Sequence, residues 1–376
     1  MLLPYDPARL RRAGFRPASA ALLALPGVLA CTTIQPAERV EPAFIEVSLD
    51  GFSAGTRDAP LPFTTGAFDV PVTVRTLDVN GDPYPFEGDL KPKVRPGVLD
   101  SEPWIGVTGG EWSGSVTIHN GFGPTRIWLT DEGDKDEDSG RAASWGAGVT
   151  EAIWFDSPTI GEFQSTDDPE TNQLAGEFAT VRVADRQVVV TARSAAGFWV
   201  TDVADPPGAY NSVFIYTFSR PEDAYSVGAR VTLLTGINQE YLASTQLSFP
   251  TLATDGTFIE VPEAFELTGC ADDEMEGLES ARVRVSDGEI PATFVEGSEE
   301  YADFLTYGQW PLTFGSCTVS VESGTTAPDF DPSARAGQVI PRVEGMVKQI
   351  FGMWVLVVVD AEDIEAPPAG PPQRGI

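Results

Sequence analysis

The sequence predicts an all-β protein in which a two-sheet β-sandwich is followed by two small β-barrels. Three observations support this class. Short runs of β-branched and aromatic residues recur along the chain, and Gly, Pro, Asn and Asp interrupt them. The 376 residues include 37 glycines and 31 prolines, which favours many turns over long helices. Few stretches show the apolar period of an amphipathic helix.

The N-terminus has the order of a secretory signal. Residues 1–17 hold four arginines and one acid, and the apolar run at 18–30 that follows is too short to span a bilayer as a helix. The run ends in Val28-Leu29-Ala30-Cys31, which resembles the lipobox of bacterial lipoproteins. This resemblance implies that residues 1–30 are removed and that Cys31 is lipidated. The alternative is an ordinary signal cleavage near Ala30, which leaves Cys31 as a free thiol.

A lipid on Cys31 makes a membrane the first expected partner and places the chain in the bacterial cell envelope, at the outer membrane or the cell surface. Residues 31–42 are then a tether between the lipid and the body. The net charge of the chain is −32. Because anionic headgroups and phosphates repel such a body, we expect it to stand off the membrane and do not expect nucleic acid as a general partner.

The stretch 43–158 predicts the sandwich. Residues 44–49 and 70–77 alternate or run apolar as strands do, and the turn Asp78-Val79-Asn80-Gly81-Asp82-Pro83 follows the second run. Further strands are expected at 115–119 and 125–130. This series resembles bacterial immunoglobulin-like surface modules, which implies an immunoglobulin-like β-sandwich. Residues 159–176 are predicted to be a linker.

The stretch 177–255 predicts the first barrel, because it holds five strand-like runs in about 80 residues, the pattern of an OB-fold. Its runs VVVTA, GFWVTD, SVFIYT and VGARVTLLTG resemble OB-fold modules attached to secreted bacterial nucleases. The stretch 256–365 resembles a diverged second copy, on the segments 343–347 and 351–356. The tail 366–376 is predicted to be disordered.

The aromatic residues of the first barrel have two interpretations. OB-folds often bind single strands on aromatic platforms within a basic groove. The stretch 177–255, however, carries five arginines against eight acids, so such a groove is not expected. We therefore expect the aromatics to form the barrel core and nucleic acid to be an unlikely ligand. The six candidate side chains are Phe198, Trp199, Phe214, Tyr216, Phe218 and Tyr241.

The residues predict no catalytic centre. His119 is the only histidine, and no G-x-S-x-G segment accompanies it, so a Ser-His-Asp site is not expected. The carboxylates Asp134, Asp136 and Asp138 alternate as calcium ligands do. Gly140 comes one residue late for a calcium loop, and no Glu closes it, so a solvated acidic loop is the alternative. Calcium is the one cofactor that the sequence suggests.

Cys270 and Cys317 are predicted to form a disulfide. Once Cys31 is lipidated, these are the two remaining cysteines, and the signal directs the chain to an oxidising compartment. The alternative is a pair of buried, unpaired thiols.

Two functions follow from these expectations. The first is a membrane-anchored, non-catalytic envelope lipoprotein that binds another macromolecule, such as a protein partner in the envelope, or stabilises an envelope assembly. The second is an accessory OB-fold module that recruits nucleic acid or polysaccharide to a partner secreted enzyme. An exposed basic or aromatic groove would favour the second function, and the composition does not show one.

Overall fold

The computed structural model describes residues 42–49, 51–100, 104–135, 141, 143, 146–165, 174 and 176–366. This part of the chain is mostly β-strand, as the sequence predicted. Its longest α-helix has nine residues, and none of its helices has the length and apolar character that crossing a membrane requires.

Two sheets form the N-terminal part of the described chain. One has the strand order β1-β2-β6-β4, and the other has the order β5-β3-β7-β8, with β9 also paired to β7. The strands are β1 (Pro42–Ser48), β2 (Phe68–Asp78), β3 (Gly88–Arg95), β4 (Val98–Leu99), β5 (Ile105–Val107), β6 (Glu111–His119), β7 (Gly123–Thr130), β8 (Gly148–Val149) and β9 (Ile153–Phe155).

These two sheets curl as half-barrels around one core, so the prediction of an immunoglobulin-like sandwich is not met in its detail. Alternate residues of the long strands, such as Val72, Leu90 and Ile127, point into the shared core. The strands β4, β5, β8 and β9 have only two or three residues each. Because such short strands cannot extend a flat layer, each sheet bends around the core instead of facing the other as a broad plane.

The predicted turn after β2 is present and its chemistry is visible. The Asp78 carboxylate accepts hydrogen bonds from the backbone N–H of Asn80 (2.8 Å) and of Asp82 (2.9 Å). Gly81 has φ +86°, which a side chain would disfavour. The turn is therefore held by its first aspartate and its glycine.

The first closed barrel follows α1 (Ile160–Gln164). Its five strands run β11-β12-β13-β15-β14 and close where β14 pairs with β11, while β10 adds to the edge of β14. All neighbours are antiparallel except β13 and β15, which are parallel. The strands are β10 (Phe178–Thr180), β11 (Val188–Arg193), β12 (Gly197–Asp202), β13 (Ser212–Tyr216), β14 (Ala229–Tyr241) and β15 (Ser244–Phe258).

The second closed barrel repeats this order of connection. Its strands run β17-β18-β19-β21-β20 and close where β20 pairs with β17, and β19 and β21 are the parallel pair. Both barrels are therefore OB-like in size, with five strands, which confirms the prediction of two small barrels. The elements are β16 (Phe265–Glu266), α2 (Asp272–Gly277), β17 (Arg282–Glu289), α3 (Glu299–Tyr307), β18 (Gln309–Phe314), β19 (Cys317–Glu322), β20 (Val339–Ile350), β21 (Met353–Val357) and β22 (Ile364–Glu365).

Each barrel has its own apolar core. Val190, Phe198 and Ile215 are among the residues that fill the first, and Ile160 and Phe163 of α1 pack into it as well. Trp310 and Val347 are among those that fill the second. The two barrels share one strand order but fill their cores with different residues, as expected if the second barrel is a diverged copy of the first.

The predicted disulfide between Cys270 and Cys317 is present, with the two Cα atoms 5.8 Å apart. Cys270 precedes α2, and Cys317 begins β19. The bond ties the segment that leads into α2 to the wall of the second barrel. Disulfides are typical of proteins outside the reducing cytoplasm, so this bond points to an extracytoplasmic location.

We expect the double variant Cys270→Ala/Cys317→Ala to lose about 4 kcal/mol of unfolding free energy, because the bond closes a loop with a sequence separation of 47 residues. Chemical denaturation with and without a reducing agent measures this loss. Cys31→Ser is the matched control, because it removes a cysteine outside the bond and should respond to the reducing agent as the wild type does. An unfolding midpoint that reduction leaves unchanged would contradict the expectation.

Candidate functional site

The outer face of the first barrel carries aromatic side chains. Successive residues of a strand point to opposite sides of a sheet. Phe198 and Ile215 point into the core, so Trp199 on β12 and Phe214 and Tyr216 on β13 point outward. The prediction that the six aromatics form the barrel core is therefore right for Phe198 and wrong for the outward-facing Trp199, Phe214 and Tyr216, and it is also wrong for Phe218 and Tyr241, which are more than half exposed.

The second barrel packs against this face. Ala192 and Trp199 of the first barrel contact Met346 of β20, and Val357 of β21 lies at the edge of the same cluster. Although it points out of its own barrel, Trp199 is only 4% exposed. The contact between the barrels therefore buries the inner end of the aromatic face.

A cavity of about 390 Å³ lies beside this contact, and we call it the interbarrel cavity. Trp199, Phe214 and Tyr216 form its wall on the first barrel. Glu322 and Lys348 reach it from the second. The cavity thus exists only because two barrels pack side by side.

Polar side chains lie next to the aromatic wall. Since β13 and β15 pair in parallel, Gln246 lies beside Phe214 and Ser248 beside Tyr216. The Ser248 hydroxyl donates to Gln239 Oε1 (2.5 Å), and Gln246 Nε2 donates to the Ser248 hydroxyl (3.3 Å). Within the described part of the chain, Gln239 Nε2 and Gln246 Oε1 have no partner. One donor and one acceptor thus remain for a ligand.

The aromatic side chains continue beyond the cavity as one row, which we call the aromatic stripe. The ring centroids are 4.7 Å apart for Trp199 and Phe214, 6.5 Å for Phe214 and Tyr216, 4.4 Å for Tyr216 and Phe218, and 4.7 Å for Phe218 and Phe249. The stripe runs from the buried Trp199 to Phe218 and Phe249, which are 53% and 61% exposed.

The two exposed rings adopt an unfavourable backbone conformation. Phe218 has φ +62° and Phe249 has φ +51°, in the left-handed region that bulky residues rarely occupy. Neither ring gains full burial in return. Residues held in such conformations cluster at functional sites in general.

Gly197 makes room for the stripe. A Cβ atom built on Gly197 would lie 2.6 Å from Cζ of Phe214 and would also overlap the carbonyl oxygen of Ile215. Only glycine therefore lets the Phe214 ring lie across the start of β12.

A buried carboxyl group joins the two barrels near the cavity. Glu279 lies in the segment between α2 and β17 and accepts hydrogen bonds from Thr245 N and from Gln164 Nε2, both at 3.1 Å. Thr245 belongs to β15, and Gln164 ends α1. One side chain of the second barrel's segment therefore holds two elements of the first.

Burial raises the pKa of Glu279 to about 7. A hydrogen bond from Ser244 opposes this shift, and the nearby Glu240 carboxylate adds to it. Burial also raises the pKa of Glu240, whose Oε1 accepts a hydrogen bond from the Thr245 hydroxyl (2.5 Å). The carboxyl pair at this contact is therefore easier to protonate than carboxyls in water.

We expect the stability of the wild type to fall between about pH 4.5 and 7, relative to Glu279→Gln. Over this range the carboxyl ionises in the unfolded chain while the folded chain keeps its proton. Glu279→Gln does not titrate. From about pH 4.5 to 7, its unfolding free energy should therefore rise by about 3 kcal/mol relative to that of the wild type. Chemical denaturation of both proteins over this pH range measures the difference. Glu289→Gln, at an exposed position, is the control, and pH profiles of Glu279→Gln and wild type that run parallel would contradict the expectation.

The structure covers only part of the predicted calcium site. Asp136 and Asp138 lie outside the described residues. Asp134 accepts a hydrogen bond from Arg141 Nε (2.6 Å), and Arg141 also binds Asp131 through two nitrogens. Among the described residues, no group of three or more His, Cys, Asp or Glu is arranged to hold a metal ion. The calcium ligand set therefore stays a prediction, and its first carboxylate is paired with a guanidinium.

One other residue considered in the sequence analysis, His119, has a clear placement. His119 ends β6 and lies with Nε2 2.7 Å from Asp100 Oδ1. Cys31, the predicted lipidation site, lies outside the described residues, so the anchor stays a prediction.

Sequence reasoning missed the interbarrel cavity, although one signal was present. Phe198 and Trp199 are adjacent on one strand, so one of them must point out of the barrel. No sequence signal marks Glu279, because its burial depends on where the second barrel packs.

Comparison with known proteins gives no match to any family model and none to a curated protein. The geometry of the interbarrel cavity and of the aromatic stripe therefore carries the functional assignment.

Proposed function

We propose that the chain is a non-catalytic binding protein of the bacterial cell envelope, anchored through a lipid on Cys31. Its ligand is part of another macromolecule, held in the interbarrel cavity. The observation that carries this proposal is the cavity itself, with aromatic side chains on one side and a few polar groups that lack partners within the described chain.

The cavity has the composition of a binding site. Its volume of about 390 Å³ lies within the range of about 300–1,000 Å³ that small-ligand sites occupy. Such sites combine apolar and aromatic walls with a few placed polar groups. Trp199, Phe214 and Tyr216 supply the wall, and the free amide atoms of Gln239 and Gln246 supply the polar groups.

The continuation of the stripe to solvent supports a macromolecular ligand. A small molecule would need only the cavity, whereas Phe218 and Phe249 offer two more rings outside it. A ligand that fills the cavity and extends along the surface uses both parts.

Location in the envelope is supported by two independent features. The segment 1–30 ends in the lipobox-like sequence before Cys31. The disulfide between Cys270 and Cys317 requires an oxidising environment to form and persist.

The aromatic stripe favours a second candidate function, an accessory module that recruits a polymer to a partner secreted enzyme. An exposed aromatic surface is the feature that separates this function from a purely structural role. Lys348 is the single cation among the described residues that line the cavity, so a nucleic acid suits the site less well than a polysaccharide.

We expect Cys31→Ser to abolish lipidation. Expressed in a bacterial host, the wild type should partition into detergent and incorporate labelled palmitate, because the lipobox delivers Cys31 to the acylating enzymes. Cys31→Ser should do neither, and Cys270→Ser is the control that keeps Cys31. Equal labelling of wild type and Cys31→Ser would contradict the anchor.

We expect Ala196→Trp to prevent ligand binding. Ala196 lines the cavity, and an indole at this position fills it. Retention of the full mature chain by envelope material from the producing bacterium measures binding. Ala224→Trp is the matched control, because it adds the same ring at an exposed position outside the cavity. Equal retention of the two variants would overturn the proposed site, provided thermal unfolding shows that both are folded.

A further inference from the structure

We infer that the ligand is an uncharged polysaccharide, with one sugar in the interbarrel cavity and the following sugars stacked along the aromatic stripe. This inference rests on the proposed function and names the ligand class of the same site.

The stripe suits a chain of pyranose rings. The face of an aromatic ring carries negative charge density, and the C–H face of a sugar is apolar with slightly positive hydrogens, so the two stack favourably. Successive rings of the stripe are 4.4–6.5 Å apart, which leaves no gap between Trp199 and Phe249. A continuous row of this kind serves a polymer better than an isolated small molecule.

The polar groups of the cavity suit sugar hydroxyls. Gln239 Nε2 can donate and Gln246 Oε1 can accept, and a hydroxyl group does both. Ser194, Ser244 and Ser280 also line the cavity. A hydrocarbon ligand, such as an acyl chain, would bury the amide atoms of Gln239 and Gln246 without partners, which is unfavourable. The cavity therefore favours a ligand that is apolar on one face and rich in hydroxyls at its edges.

Charge separates an uncharged polysaccharide from the polyanions that could use the same rings. Lys348 and Glu322 bring one charge of each sign to the cavity. Binding of nucleic acid or of a polyuronate depends on clustered cations, and the whole chain has a net charge of −32. A neutral ligand avoids this repulsion, whereas a polyanion meets it along its full length.

The exposed end of the stripe gives a test that leaves the fold intact. Phe218 and Phe249 are more than half exposed, so their replacement removes little core packing. Trp199 lies at the contact between the barrels, and because the chain has eight tryptophans, a fluorescence change that Trp199→Phe lacks would report occupancy of the cavity.

The experiment titrates the full mature chain with linear oligosaccharides of glucose, of mannose and of N-acetylglucosamine, each as a series from the monosaccharide upward. We expect affinity for one series to rise with length. We expect Phe218→Ala and Phe249→Ala each to weaken its longest member by roughly tenfold, the loss of one stacked ring, and to leave its shortest member unchanged. Phe178→Ala is the control, because it removes a ring that is 54% exposed and lies on β10, outside the stripe.

Two results would overturn the inference. The first is that no oligosaccharide series binds while Ala196→Trp still abolishes retention by envelope material. That result would keep the proposed function and reject a sugar as the ligand. The second is that single-stranded DNA or a polyuronate binds more tightly than any neutral oligosaccharide. In that case the affinity would depend steeply on salt and would fall in the Phe218→Ala and Phe249→Ala variants. Failure of Ala196→Trp to change retention would instead count against the proposed function itself.

Discussion

The packing of the second barrel against the outer face of β12 and β13 is the constraint on which the site depends. Without it, Trp199 would be an exposed ring on a small barrel. With it, Trp199 packs on Met346, and a cavity forms beside the contact. The buried Glu279 fixes the same contact through Thr245 and Gln164. This one contact therefore accounts for the cavity, for the buried end of the aromatic stripe and for the expected pH dependence.

The buried carboxyl of Glu279 has an unfavourable and a favourable effect on the contact between the barrels. Burying the carboxyl of Glu279 opposes its ionisation, and its hydrogen bonds to a backbone N–H and a side-chain amide compensate only in part. An apolar residue at this position would remove the hydrogen bonds that Thr245 N and Gln164 Nε2 donate to the carboxyl. The carboxyl therefore gives the contact a defined geometry, and it makes the junction of the barrels sensitive to pH near neutrality.

Much of the fold could be predicted from the sequence, and the site could not. Strand runs such as 188–192 and 197–202, broken by turn residues, predicted the barrels, because strand pattern and turn chemistry are local. The disulfide followed from the number of cysteines and the secretory signal. The shape of the N-terminal sheets was mispredicted, because their curl depends on strands too short to leave a pattern. The burial of Trp199 could not be predicted, since it comes from a barrel about 150 residues later in the chain.

The interbarrel cavity, with its free amide groups, is proposed to receive a neutral sugar. The most direct measurement is the NMR spectrum of the glutamine side-chain amides in selectively labelled protein as the preferred oligosaccharide is added. We expect the Gln239 and Gln246 signals to shift on binding, while that of Gln187, which lies away from the cavity lining, stays in place. Binding that leaves Gln239 and Gln246 unshifted would contradict it.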